Sequence, residues 1–398
     1  MKTFFILSLI LFTFGAYAQQ NITSVSNGLA TDPFVWDCTC IPLTGDNITI
    51  NHDIQMNTDW LVNGSGSITV SNSGSLVEDS EHRGILFDGG VVFTNHGTTV
   101  MTNFAFANGA EAHNHGALSL DSGLYVDQNS TFMNHGLVED IDSTYTQGMF
   151  MNEGTYGPGD FLNEGMMTNT GYITADSLLN TGTLNTSAGN LTILDFGNTG
   201  TLNVTGSSYI IVTDDFWNSG HLYLAAGRDI RVANDMSNAH QSGTASIDND
   251  GLIEIANDFT NTDTLRGSGV FCIANNSLNT GDVKETLDIC DNTSVSHFDA
   301  NTGNIEPTVT NCTSGCSVGV DENIIANNEI SIYPNPASTV LNIESNDDYQ
   351  MMVVDVMGNI VLNQKVVEKI DVSHLKTGVY FIRFTGKADT KTMKFIKK

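Results

Sequence analysis

Apolar and polar residues alternate in short runs along most of this chain, and turn residues separate the runs. Gly200-Thr201-Leu202-Asn203-Val204 and Tyr209-Ile210-Ile211-Val212 show the pattern, and Asp215-Phe216-Trp217-Asn218 follows them as a tight corner. A period of two predicts strands, with one side chain inward and the next outward. The unit recurs as Asn-x-Gly beginning at Asn95, Asn114, Asn134, Asn152, Asn163, Asn180, Asn198, Asn218 and Asn279. The gaps are mostly 17 to 20 residues, with one step of 11 between Asn152 and Asn163; Asn238 and Asn261, which lack the Gly, fill the remaining places. Self-similarity near twenty residues marks a solenoid, in which each repeat buries its apolar face against its neighbours. Two short strands and a tight corner per repeat predict an all-β, parallel β-helix over residues 61–281.

The recurring residues have physical reasons to recur. Coils stack at strand spacing, roughly 4.8 Å, so that each position becomes a column. An inward Asn passes amide hydrogen bonds along its column and satisfies buried polar groups. A Gly two residues later suits a corner with positive φ. Phe93, Phe132, Phe150, Phe161, Phe196, Phe216 and Phe259 lie two residues before the Asn and predict an aromatic stack in the core. Identical spacing in coil after coil is what a core requires, and argues against a cofactor box.

Three stretches depart from the repeat. Residues 19–60, with Trp36, Trp60, Cys38 and Cys40, and residues 282–316 are expected to cap the open ends, since an uncovered β-helix end is an exposed edge. Residues 317–328 read as a linker. Six cysteines in an exported chain favour disulfides. Proximity in sequence pairs Cys272 with Cys290 and Cys312 with Cys316, and no bridge is assumed between Cys38 and Cys40.

The two termini give the destination. Lys2, an apolar run from Phe4 to Phe14 and Ala16-Tyr17-Ala18 form a signal peptide, residues 1–18, with cleavage expected after Ala18. The run is shorter than the about 20 apolar residues of a membrane span, and no later segment reaches that length. At the other end, alternating runs at Val340–Ile343, Met352–Val356 and Val379–Phe384 predict a small antiparallel β-sandwich over 329–398. This end carries Tyr333-Pro334-Asn335-Pro336, then Asp355-Val356-Met357-Gly358-Asn359, then Leu375-Lys376-Thr377-Gly378-Val379-Tyr380 and a Lys-rich terminus. Four motifs in this order resemble the type A C-terminal sorting domain of the type IX secretion system. The resemblance implies passage through the type IX machinery, loss of this domain, and release or attachment at the outer-membrane surface.

Charge narrows the partners of the body. Residues 21–328 hold five basic residues (Arg83, Arg228, Arg231, Arg266, Lys284) against 37 acidic ones, a net charge of minus 32. Nucleic acid is excluded as a partner, because a polyanion is bound by Lys and Arg that displace its counterions. The acidic surface keeps an exported protein soluble and suits divalent cations better.

Several constellations are candidates for chemistry. Asp195, Asp215, Asp235 and Asp258 each sit three residues before a repeat Asn, so they form a column of like charges. Either Asx turns to backbone N–H groups or Ca²⁺ between the coils offsets the repulsion. His96, His115 and His135, with His113 nearby, fill the middle of three successive corners and are candidates for a transition metal. The same slot then holds Glu153, Glu164, Thr181, Thr199 and Ser219, which favours a tolerant solvent-facing turn. Asp214-Asp215 resembles a glycosidase acid pair. The Gly-His-Gly and Arg-Ile-Lys motifs of β-helix pectinases are missing, and the basic residues that β-helix lyases use are scarce. The expectation is therefore a non-catalytic structural or adhesive surface protein that contacts glycans or other cells. The alternative is a secreted carbohydrate-active enzyme on the same scaffold.

Overall fold

The computed structural model describes residues 19–398 except 80, 141, 241–244, 314–315, 317–330, 334–336, 345–349, 356–359, 366–368, 377 and 386–389. Most coils of the body give three strands where the sequence pattern suggested two and a corner, and in the others the second and third run on as one long strand, as Thr98–Ala107 does. One coil contributes Thr201–Val204, Tyr209–Val212 and Phe216–Asn218, and the next His221–Leu224, Asp229–Val232 and Met236–Asn238. Equivalent strands pair in parallel and in register, Leu202 on Leu222, Ile210 on Ile230 and Phe216 on Met236. The segment Asp215-Phe216-Trp217-Asn218, read above as a corner, is thus the third strand. The body has three faces, named first, second and third in chain order.

Along the first face runs a ladder of fifteen strands from Asn21–Thr23 to Asn304–Ile305. Its inward column begins Ile22, Ile48, Ile68 and Phe93 and continues through Phe132, Phe150, Leu202 and Leu222, all but fully buried. The ladder therefore already runs inside both stretches expected as caps. The N-terminal coils escaped the pattern because Ile50 and Val70 hold the corner in place of Asn, whereas the C-terminal stretch carries Asn301, the next rung after Asn279. What covers the first coil is shorter: Trp36 is fully buried, donates its Nε1 to the Ala30 carbonyl at 3.0 Å, and lies 6.5 Å from the Trp60 ring.

The step of 11 marks a change of corner. Asn95, Asn114, Asn134, Asn152 and Asn169 end first-face strands, and each of the first four donates its Nδ2 to the Oδ1 of the next at 2.8 Å. Asn163 ends a third-face strand and opens a second ladder through Asn180, Asn198, Asn218, Asn238, Asn261, Asn279 and Asn301, with every step at 2.7 or 2.8 Å. Asn169-Thr170-Gly171 carries the same signature as the others but falls six residues after Asn163, where a single-register reading has no place for it. The Phe residues divide likewise, with Phe132 stacked on Phe150 at 5.4 Å under the first corner and Phe196 on Phe216 at 4.9 Å under the other.

The corner glycines are needed for a different reason from the expected positive φ. A Cβ on Gly200 would lie 2.0 Å from the Gly182 carbonyl oxygen one coil back, and one on Gly220 2.2 Å from the Gly200 oxygen. Close approach of stacked backbones requires them, and their φ is not left-handed.

The cysteines pair as Cys272 with Cys316, Cys290 with Cys312 and Cys38 with Cys40, which corrects the expected pairing. Cys272 and Cys290 are register neighbours on consecutive coils of the second face. The pairs Thr310 on Asp288 and Asn311 on Ile289 bring Cys312 alongside Cys290 from the other side. Separations of 18 and 22 residues both amount to one coil, so spacing alone does not choose between them.

Residues 331–398 form a two-sheet antiparallel sandwich. One sheet joins Ser331–Tyr333, Val340–Glu344 and Lys369–Asp371; the other orders Ile360–Lys365, Gln350–Asp355, Gly378–Thr385 and Thr390–Lys397. Leu341, Ile343 and Ile370 from the first meet Met351, Val353, Ile382 and Phe384 from the second in one buried core. Of the sorting motif, Gly378 opens the third strand of the larger sheet, Asp355 pairs with Tyr380, and the Tyr380 hydroxyl donates to the Lys376 carbonyl at 2.9 Å. Ala18, Pro334, Asn335, Pro336 and Gly358 lie outside the described residues.

Candidate ligand-binding face

The third face presents one outward column of large side chains. In register from coil to coil these are Leu61, Leu86, Ala105, Tyr125, Tyr145, Leu162 and Leu179, followed by Gly197 and Trp217. The period of two turns their strand neighbours Phe161, Phe196 and Phe216 into the core and leaves these outside. Leu61, Leu86, Tyr125 and Trp217 are 36 to 43% exposed. Gly197 makes room for Trp217: a Cβ there would lie 2.1 Å from Cζ2 of the indole, so the ring lies over the glycine of the preceding coil.

Polar groups fix the aromatics in place. The Tyr125 and Tyr145 rings lie 5.5 Å apart. The Tyr145 hydroxyl donates to Glu164 Oε2 at 2.6 Å, and Gln147 Nε2 donates both to the Tyr145 oxygen, at 2.6 Å, and to Glu164, at 2.9 Å. The Glu164 bond pushes the Tyr145 hydroxyl above its ordinary range, and the Tyr145 bond holds the Glu164 carboxyl below the usual one. A second outward column beside the aromatics reads Ser143, Asp160, Ser177 and Asp195, and continues into Asp215. Rings flanked by carboxylates, hydroxyls and an amide suit a ligand that offers both C–H faces and hydroxyl groups.

The candidate calcium column is built as the spacing predicted, but its donors come from the next coil. Asp215 Oδ1 accepts from the Asp235 N–H at 3.1 Å and from Asn234 Nδ2 at 2.8 Å. Asp235 Oδ1 accepts in the same way from Asp258 and Asn257, and Asp258 from Asn276 and Asn275. These inter-coil bonds replace the Asx turns expected within each corner. Charge-assisted bonds to N–H groups offset the repulsion between like charges. Asp214 Oδ1 also accepts from Asn234 Nδ2, at 2.9 Å, which ties the Asp214-Asp215 pair into this lattice.

The histidines do stack. The rings of His96 and His115 lie 4.9 Å apart at 12°, and those of His115 and His135 4.7 Å apart at 4°. Glu153 follows in the same column, with Oε2 at 2.8 Å from His135 Nδ1, whereas Glu164 belongs to the other corner. Burial first, and then the neighbouring His135, His96 and His113, pull the His115 imidazole below its ordinary value.

Residues 331–398 match the family model described as the secretion system C-terminal sorting domain. The chain is also similar to Beta-agarase D of Zobellia galactanivorans, 40% identical over 67 residues, which is 17% of this chain and 14% of that protein. The chain thus spans a small fraction of the relative it matches, a stretch about as long as the sorting domain. No solved structure matches. The sorting domain makes this a type IX export substrate, secreted or attached at the cell surface. Among the described residues no helix is long and apolar enough to cross a membrane.

Proposed function

We propose that this protein is a non-catalytic, adhesive β-solenoid that holds uncharged extracellular polysaccharide against its third face. The observation that carries the reading is the register of Tyr125, Tyr145 and Trp217 in one outward column beside Ser143, Asp160 and Asp195. An extended chain laid along the solenoid meets the same row of side chains at every coil, roughly each 4.8 Å, so that many weak contacts add. The net charge of minus 32 on residues 21–328 repels sulfated and uronic chains and leaves neutral ones as ligands.

The test is a glycan array probed with the exported protein. Binding to neutral polysaccharides that Tyr125→Ala and Trp217→Ala each weaken at least tenfold supports the reading; binding unchanged in the double variant sinks it. Polysaccharide cleavage lost in Asp214→Asn would establish the enzyme alternative instead.

A further inference from the structure

The repeat is broken at one corner in three successive coils. Between the second and third faces, the coil with Ser75–Glu78 and Gly84–Gly89 sets Asp79, Glu81, His82 and Arg83 outside both strands. The next coil shifts register at Thr102, between Met101 and Asn103, and the one after carries Asp121 and Ser122 between Leu120 and Gly123. Bulges re-aim side chains that a regular ladder would keep in column. Here they converge: a carboxylate oxygen of Glu78, a ring nitrogen of His82 and a carboxylate oxygen of Asp121 all lie within 4.8 Å of one another. Among the described residues this is the one place where three such groups meet.

We propose that Glu78, His82 and Asp121 bind one first-row divalent ion of the Mn²⁺ to Zn²⁺ class. The three ligands come from the end of a strand, the loop that follows it and a bulge two coils on, and the first two are held by their surroundings. Glu78 Oε2 accepts from the Arg83 N–H and from the Thr102 hydroxyl, which steers the carboxylate toward the bulges. His82 sits at φ +59°, a left-handed conformation that a non-glycine residue seldom adopts. The nearby Arg83 guanidinium does not serve as the counter-charge, because it is engaged by Asp79 at 3.1 Å and Glu81 at 2.7 Å. Two carboxylates and an imidazole suit a borderline ion, whereas Ca²⁺ takes six to eight oxygens. Three protein ligands leave a position open to water or to a ligand hydroxyl. The site shares no residue with the third-face aromatics and does not depend on the glycan reading.

The exported protein, stripped with a chelator, is titrated with Zn²⁺ alone by calorimetry. One ion per chain is expected, with a melting temperature that rises on saturation, because an ion bound to the folded state stabilises it. Glu78→Gln, His82→Gln and Asp121→Asn should each weaken binding at least tenfold and abolish the rise, with unchanged circular dichroism. His115→Gln, which opens the stacked column instead, should leave both intact. Equal affinity in all three variants, loss of binding in His115→Gln, or no saturable binding by the wild-type chain overturns the proposal.

Discussion

Asn152 donates its amide to Asn169 Oδ1 at 2.8 Å, one coil away, and not to Asn163, the next Asn-x-Gly in sequence. The pair shows that two corners carry amide ladders and that both pass through the middle coils. Each interior amide does two jobs. Asn198 Nδ2 donates to Asn218 Oδ1 and also to the His221 carbonyl at 3.1 Å.

Removing one rung therefore orphans buried groups on both sides of it. Asn198→Leu or Asn218→Leu should destabilise by roughly 1 to 3 kcal/mol, the usual cost of leaving buried polar groups unpaired. Thr199→Ala and Ser219→Ala, at the solvent-facing slot, should shift stability by about 0.5 kcal/mol or less. Equal shifts for both classes in denaturant melts would contradict the ladder.

Export rests on the C-terminal sandwich, which folds around its own core of Leu341, Val353, Ile382 and Phe384. Deletion of residues 329–398 should leave a folded body in the periplasm and none in the medium. The released protein should lack that segment by mass spectrometry, and an intact 19–398 chain in the medium would argue against its removal.

The His96, His115 and His135 stack predicts acid sensitivity. The folded-state value of His115 lies below the unfolded one, because burial and its neighbours disfavour the charged form. The unfolded chain then takes up the proton first, so the contribution is full above about pH 6.5 and is lost as pH falls below it. The melting temperature should drop between pH 7 and pH 5, and His115→Gln should flatten that part of the profile. An unaltered slope in the variant would assign the acid sensitivity to other groups.

Gly197 is the cheapest handle on the ligand face. Gly197→Ala sets a methyl 2.1 Å from Cζ2 of Trp217, so the indole must swing away. Glycan binding should weaken several-fold while stability changes by about 0.5 kcal/mol or less, since an exposed side chain moves and the core does not. Undiminished binding would show that the ring's resting place is immaterial.

The sequence alone determined the kind of object this is. Alternation with a period of two and a twenty-residue recurrence of Asn, Phe and Gly prescribe a solenoid, because only stacked coils turn a repeat into columns that bury apolar and amide groups together. The motifs around Tyr333, Asp355, Gly378 and Tyr380 likewise identified the exported end, being local and ordered along the chain. Tertiary structure decided whatever depends on which corner a residue occupies. Two Asn ladders replace one because Asn152 and Asn163 lie in the same coil, a fact no single spacing reveals. Spacing left the partner of Cys290 open, because its neighbours at 18 and 22 residues are both one coil distant, and the fold pairs it with Cys312 and Cys272 with Cys316. The aromatic column from Tyr125 to Trp217 and the meeting of Glu78, His82 and Asp121 were hidden for the same reason. Their residues lie 4 to 92 apart in sequence, and coil lengths that vary with each bulge set which of them come into register.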